Sequence, residues 1–423
     1  MPPVPPMPSA RPASAPRARL PIQSHPVVFT GRGREYFRVW IVNVLLSVVT
    51  LGFYTPYARR RTAQYFYGHT LVAGSPLEFV VARPHRMLLG FALMVGLYMV
   101  YQLAVNTGQD VAALAMLAGF AVLLPFLWGS AMRFRLGATR WRGVRLAFTA
   151  SWREVYLASW PVFVAAALWA ALMLLASHGP PAAGPDAQLP QAAARWPVWP
   201  GPRATWLTGA GLGVMLLSAL AFVRLEYNYR RLLVQRARVG TLPGHWRLEY
   251  GLFVRLWLAT LAVGLVSAML MAAVFVALLV FFLPMSWPEF GQMVALGGIL
   301  SALIMLAALV LLAVLSTLPA RAYREARLFR LLWSHTGVGQ VARFKSDLRT
   351  SSFVWLRLKN LLLSLLTLGL YRPFALVSEH APKARSVTLY VRGGTDQIAG
   401  ELVRQQGAFG DAVADALGLD LIG

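Results

Sequence analysis

The sequence predicts an all-α polytopic membrane protein: six spanning helices, two short broken helices, and small β-hairpin elements in the cytoplasmic loops. Three observations predict it. Hydrophobic residues make up 57% of the 423 and charged residues 13%, too little charge to cover a soluble domain of this size. Arginine is concentrated in alternate loops. A sixteen-residue phrase, Asn43 to Ala58, recurs as Asn360 to Ala375 with ten identical positions.

Six runs are long enough to cross about 30 Å of hydrocarbon. They are Met87 to Val105, Val111 to Ala131, Val155 to Ser177, Ala204 to Val223, Leu256 to Pro284 and Gln292 to Ala320, and none contains Asp, Glu, Lys or Arg. Residues 58–86, 132–154, 224–255 and 320–354 together carry 25 Arg and Lys, whereas the intervening loops 106–110, 178–203 and 285–291 carry 2. The positive-inside rule places the first group in the cytoplasm. Residues 1–26 form a Pro/Ala/Arg tail without an apolar core, expected to be disordered and cytosolic. Residues 27–395 form the membrane domain. Residues 396–423, with Asp411, Asp415 and Asp420 among leucines, suggest an acidic amphipathic tail.

The duplicated phrase fits this scheme less simply. Its apolar part is ten or eleven residues, about 16 Å of helix and half a bilayer. Gly52 and Pro56, and Gly369 and Pro373, then act as helix breakers. The segments are therefore expected to be re-entrant or interfacial helices that begin and end on the cytoplasmic side; the alternative is eight spans.

The loops share a grammar in which an Arg-rich helix end precedes a polar turn and a short β-prone run. Examples are Arg59-Arg60-Arg61 to His69-Thr70, Arg135 to Thr139-Arg-Trp141, and Arg324 to His335-Thr336. With Phe29-Thr-Gly31-Arg-Gly33-Arg-Glu35-Tyr36-Phe37 and the two Thr-Leu-Gly phrases, these segments resemble the YjgN-like bacterial inner-membrane family across most of residues 28 to 395. The sequence departs from the family's Pro-Trp-Ala at Pro56-Tyr57-Ala58 and Pro373-Phe374-Ala375. The resemblance implies a multi-pass protein of the bacterial inner membrane and supplies no mechanism.

The candidate functional face is Asn43, Ser47 and Thr50 with Asn360, Ser364 and Thr367, since each trio falls on one side of a helix. Polar contacts between helices compete with a cavity lined by broken helices as its role. Arg59, Arg60 and Arg61 are candidate contacts for anionic headgroups, or topology anchors. The His69 and His335 pair lacks ligand spacing and accompanying carboxylates, and a turn role is favoured. Glu35, Glu154 and Glu249 stand before apolar helices, where the macrodipole favours a carboxylate. No catalytic, cofactor or metal motif stands out, and cysteine is absent. The expected partner is the bilayer, including anionic lipids, and not nucleic acid, because the charge is divided among membrane loops. A non-enzymatic protein that moves or accommodates a small or lipid-like solute is the leading expectation, and a lipid-interacting scaffold is the alternative.

Overall fold

The computed structural model describes residues 21–81, 85–177, 202–282 and 287–393. Two strands, β1 (Ile22–Pro26) and β2 (Val28–Phe29), precede a helix pair, α1 (Gly33–Val49) and α2 (Thr55–Gly68), and a hairpin, β3 (Thr70–Val72) and β4 (Ser75–Phe79). The succession of helices and hairpin then continues. Helices α3 (His85–Asn106) and α4 (Asp110–Ala138) lead to β5 (Thr139–Trp141) and β6 (Val144–Phe148). Helices α5 (Trp152–Ala158), α6 (Trp160–Ser177) and α7 (Pro202–Arg236) lead to β7 (Ala237–Val239) and β8 (Leu242–Trp246). Helices α8 (Tyr250–Phe282) and α9 (Trp287–Ser334) lead to β9 (Thr336–Val338) and β10 (Ala342–Ser346). Finally α10 (Thr350–Leu366) and α11 (Arg372–Arg385) lead to β11 (Val387–Arg392).

The all-α expectation is corrected here. The short strands join into one eleven-stranded sheet ordered β1-β11-β10-β9-β8-β7-β6-β5-β4-β3-β2, and every pairing is antiparallel. Its two ends are halves of one extended segment, separated only by Val27. That residue's N–H donates to the Val387 carbonyl at 2.9 Å, while Thr30 N–H donates to the His69 carbonyl at 3.0 Å. The sheet thus returns on itself as a near-barrel. Near-closure leaves every strand paired with at least one neighbour, which is how strands of two to six residues can persist.

One contact recurs at each seam. The residue after a strand donates its N–H to a carbonyl where the next helix meets its strand. These bonds are Val80 to Ala138 (2.7 Å), Thr149 to Arg236 (2.9 Å), Arg247 to His335 (3.0 Å) and Asp347 to Ser386 (3.1 Å), with Thr30 to His69 as the fifth. The hairpin turns at Ala73-Gly74 and Arg142-Gly143 hold both residues at positive φ, the conformation whose twist matches two antiparallel strands. Strand β1 begins inside the segment read as a disordered tail, because β11 supplies the pairing partner that a sequence run alone does not reveal. The acidic segment 396–423 lies outside the described residues.

Over their described residues, the six apolar runs all fall in helices α3 to α9. Three described helices are long and apolar enough to cross a membrane: Thr205–Arg236, Tyr250–Ala277 and Leu306–Ser334. A fourth counts if α5 and α6 form one span, and Gly90–Asn106 is a shorter apolar helix. The run Val155 to Ser177 is not one straight helix as the sequence suggests: α5 and α6 meet at 50°. Pro161 has no N–H to continue the ladder, and Ser159, fully buried at the bend, donates to the Val155 carbonyl at 2.8 Å and meets the Tyr229 hydroxyl at 2.7 Å. Helix α9 runs past the expected end of its apolar part at Ala320 to Ser334, so one continuous helix joins the apolar layer to the sheet.

Candidate ligand-binding lumen

The duplicated phrases build duplicated geometry. In each, a Schellman-type turn ends the first helix: Gly52 N–H reaches the Ser47 carbonyl at 2.7 Å, and Gly369 N–H reaches that of Ser364 at 2.6 Å. Gly52 and Gly369 have φ of 91° and 90°, and the preceding Leu51 and Leu368 both have φ of 49°. The reversal is therefore made by the Leu-Gly pair. Pro56 and Pro373 sit in the first turn of the second helix, where a missing N–H costs nothing.

Helices α1 and α2 run antiparallel. Arg32 N–H donates to the Tyr65 hydroxyl at 2.9 Å, Tyr36 Oη to Thr62 Oγ1 at 3.3 Å, and Asn43 Nδ2 to the Ala58 carbonyl at 3.3 Å. Both ends of this hairpin attach to the sheet, and its tip is Leu51. Helices α10 and α11 repeat the arrangement with tip Leu368, and α11 packs on α1, where a Cβ on Gly33 would stand 2.6 Å from Phe374 Cδ1.

The predicted polar face is used inside these hairpins. Asn43 is buried with its Oδ1 unpartnered. Thr50 Oγ1 donates to the Leu46 carbonyl at 2.7 Å and accepts from Tyr54 N–H at 2.9 Å; Thr367 makes the matching bonds to Leu363 and Tyr371 at 2.8 and 3.0 Å. Ser47 and Ser364 are half-buried and supply the carbonyls of the turn. Asn360 diverges from its counterpart: its Nδ2 reaches the Ala375 carbonyl at 3.4 Å, Ser378 Oγ at 3.0 Å and Glu379 Oε1 at 3.0 Å. Glu379 pairs with Arg357 at 3.0 Å, Arg357 with Glu325, and Glu325 with Lys383. This chain of charges ties α9, α10 and α11 together.

Arg59, Arg60 and Arg61 occupy consecutive positions of α2, so they point about 100° apart and cannot close on one anion. Arg61 instead donates to the Tyr54 hydroxyl at 3.3 Å. His69 and His335 end helices in the same way, each ring Nδ1 2.8 Å from the carbonyl four residues before it. Glu154 completes a capping box with Ser151 and pairs with Arg236.

The larger cavity lies elsewhere. The ring of strands encloses a lumen of about 650 Å³, walled by Val72, Leu146, Val239, Val338 and Leu389 and roofed by the helix ends at Phe66, Leu136 and Trp333. Its polar side chains are Tyr67, Thr70, Arg135, Thr139, Trp141, His380 and Lys383, with no carboxylate among its described lining residues. His380 sits between Phe29 and Phe66, each 4.8 Å away between ring centres, and its Nε2 is 3.3 Å from Thr70 Oγ1. Burial, reinforced by the Lys383 charge, lowers its pKa to about 4, so the ring is neutral near neutral pH. The volume falls within the ~300–1,000 Å³ usual for small-ligand sites, and the mostly apolar lining with convergent polar groups has their chemistry.

None of the predicted site residues lines this lumen. The alternating run Val144 to Phe148 carried a partial signal, since Val144, Leu146 and Phe148 share one strand face. A lumen requires closure, which no single strand encodes.

Fold and site define a polytopic helical membrane protein whose basic helix ends converge on a closed antiparallel sheet. The chain belongs to the family described as "Bacterial protein of unknown function (DUF898)", whose model matches residues 24–416. It is 28% identical over 137 residues to inner membrane protein YjgN of Escherichia coli O157:H7, covering 32% of this chain and 34% of the relative. It is 26% identical over 154 residues to inner membrane protein YjgN of Salmonella typhimurium, strain LT2, covering 36% and 39%. The aligned part thus spans between a third and two fifths of these relatives' length. No solved structure matches. The protein resides in the bacterial inner membrane as a multi-pass protein.

Proposed function

We propose that this protein is a non-enzymatic membrane protein that accommodates an apolar, lipid-like solute in the lumen of its sheet, at the cytoplasmic face of the inner membrane. The apolar lumen of about 650 Å³ carries the proposal. A sheet closed only for stability fills its interior with side chains, as small barrels do. Here the helix roof supports the walls while the interior stays open.

Within this proposal the protein crosses the membrane six times. The helix pairs α3–α4, α5/α6–α7 and α8–α9 each leave the sheet and return to it, and the two short hairpins re-enter from the same side. Reporter fusions at both termini test this: cytoplasmic signals at both ends are expected, and external signals at both would establish eight crossings.

The solute proposal is tested with a polarity-sensitive fluorescent fatty acid and purified protein in detergent. Saturable binding is expected. The lumen-filling variant Val239→Trp/Leu389→Trp should lose it while remaining monodisperse and helical. Equal binding by both proteins would sink the proposal.

A second role, as a lipid-interacting scaffold, draws on the hairpin tips. Leu51 and Leu368 are 90% and 95% exposed, which suits insertion into one leaflet.

A further inference from the structure

A second cavity, an open groove of about 520 Å³ between α8 and α9, gathers three arginines: Arg255, Arg327 and Arg330. Leu252, Leu256 and Leu331 supply its apolar wall. Arg327 also stands over the Tyr323 ring, 5.7 Å from its centre. Among the described residues none of the three arginines has a carboxylate partner. The neighbouring cation Arg324 is neutralised by Glu226, and Lys383 and Arg357 by Glu325. All three are exposed at the groove, where solvent screens their mutual repulsion and leaves their donors free for an incoming anion, and arginine's planar fork suits phosphate oxygens.

The position of the groove selects the source of that phosphate. Helices α8 and α9 lie antiparallel, with Ser267 Oγ 3.4 Å from the Leu315 carbonyl and Arg324 4.1 Å over the Trp257 ring. Arg255, Arg327 and Arg330 therefore stand at one level, at the basic end of two membrane-length helices. Directly beyond them α8 presents exposed Leu258, Leu261 and Leu265. A headgroup in the groove would leave its acyl chains along that apolar face, as expected for basic pockets between helices on the cytoplasmic side.

We propose that the groove formed by Arg255, Arg327 and Arg330 binds the phosphate headgroup of an anionic phospholipid. The site is separate from the lumen and shares none of its lining residues, so the two proposals can fail independently. It also differs from the Arg59–Arg61 run, whose side chains diverge.

The test measures retention of short-chain phosphatidylglycerol and phosphatidylcholine by the full-length protein in detergent, using native mass spectrometry. At about 1 kcal/mol per arginine, removal of all three in Arg255→Gln/Arg327→Gln/Arg330→Gln should weaken phosphatidylglycerol binding about 100-fold and leave phosphatidylcholine unchanged. The matching lysine variant, which keeps the charge, should retain most of the preference and guards against a folding defect. Arg59→Gln/Arg60→Gln/Arg61→Gln should behave as wild type. An undiminished preference in the glutamine variant would overturn the site, as would its loss in the Arg59–Arg61 variant alone. Complete displacement of the lipid by millimolar inorganic phosphate would overturn the assignment to a lipid.

Discussion

Asn360 Nδ2 lies 3.0 Å from Glu379 Oε1, at the place in the second hairpin where Asn43 in the first meets only a backbone carbonyl. The two asparagines begin the two copies of the repeated phrase and also bond equivalent alanine carbonyls, Ala58 and Ala375. The α10–α11 hairpin thus holds a buried carboxylate that the α1–α2 hairpin lacks. The Glu379 pairing with Arg357 extends this to Glu325 and Lys383, so one asparagine joins a charge network and the other does not.

That divergence predicts unequal costs for the same substitution. Asn360→Leu removes a donor from a buried carboxylate and should destabilise by about 2–3 kcal/mol. Asn43→Leu removes one neutral bond, together with an already unpartnered Oδ1, and should cost about 1 kcal/mol or less. Thermal unfolding in detergent, followed by circular dichroism, compares the two. Equal losses would show that the network adds nothing at Asn360.

His380 predicts a pH dependence with a definite sign. Its folded pKa of about 4 lies below the ordinary 6.5, so the unfolded chain binds the proton more readily between these values. Its contribution is complete above about pH 6.5 and declines as the pH falls towards 4. At pH 5 the loss is about 2 kcal/mol relative to neutral pH. The difference in melting temperature between pH 7 and pH 5 should shrink in His380→Phe, which fits between Phe29 and Phe66 without titrating.

The hairpin tips offer a direct probe of insertion. The natural chain has no cysteine, so Leu51→Cys or Leu368→Cys introduces a single labelling site. A nitroxide there should be accessible to oxygen and shielded from a polar nickel relaxant in lipid nanodiscs. The reverse pattern would place the tips in water.

Gly244 tests the fit of the sheet beneath its helices. A Cβ on Gly244 would lie 1.9 Å from the Val234 carbonyl oxygen, too close for any side chain. Gly244→Ala must push β8 away from the end of α7 and should cost roughly 1–3 kcal/mol. Gly213→Ala, where a Cβ meets nothing within 4 Å, is the control and should be neutral or slightly stabilising.

Much of the helical layer was legible because its signals are local. An apolar run has its length written in it, and the alternation of 25 basic residues against 2 marks one side of the membrane wherever the helices pack. The breaks in the two short segments were equally local, since Gly and Pro occupy fixed places in both phrases; that each segment folds back as a hairpin was not. Nor was the seam between neighbouring hairpins. Glu78 pairs with Arg140 and Ile22 with Arg392, and strands of two to six residues carry too little pattern to name partners at such separations. The lumen was hidden for the same reason, because its walls come from most of the strands and its roof from five helices.

The sequence by itself determined that this chain is a membrane protein, that Arg and Lys gather in alternate loops, and that two short apolar segments are interrupted at Gly52 and Pro56 and at Gly369 and Pro373. Hydrophobic length, charge bias and backbone sterics act within a few residues, so no fold is needed to express them. Only the tertiary structure decided that the loop strands join into one sheet through residues 22–29, that a cavity remains inside it, and that Arg255 lines the same groove as Arg327 and Arg330. Those relationships depend on hydrogen bonds and packing between segments distant in the chain, whose partners exist only once the helices have brought them together.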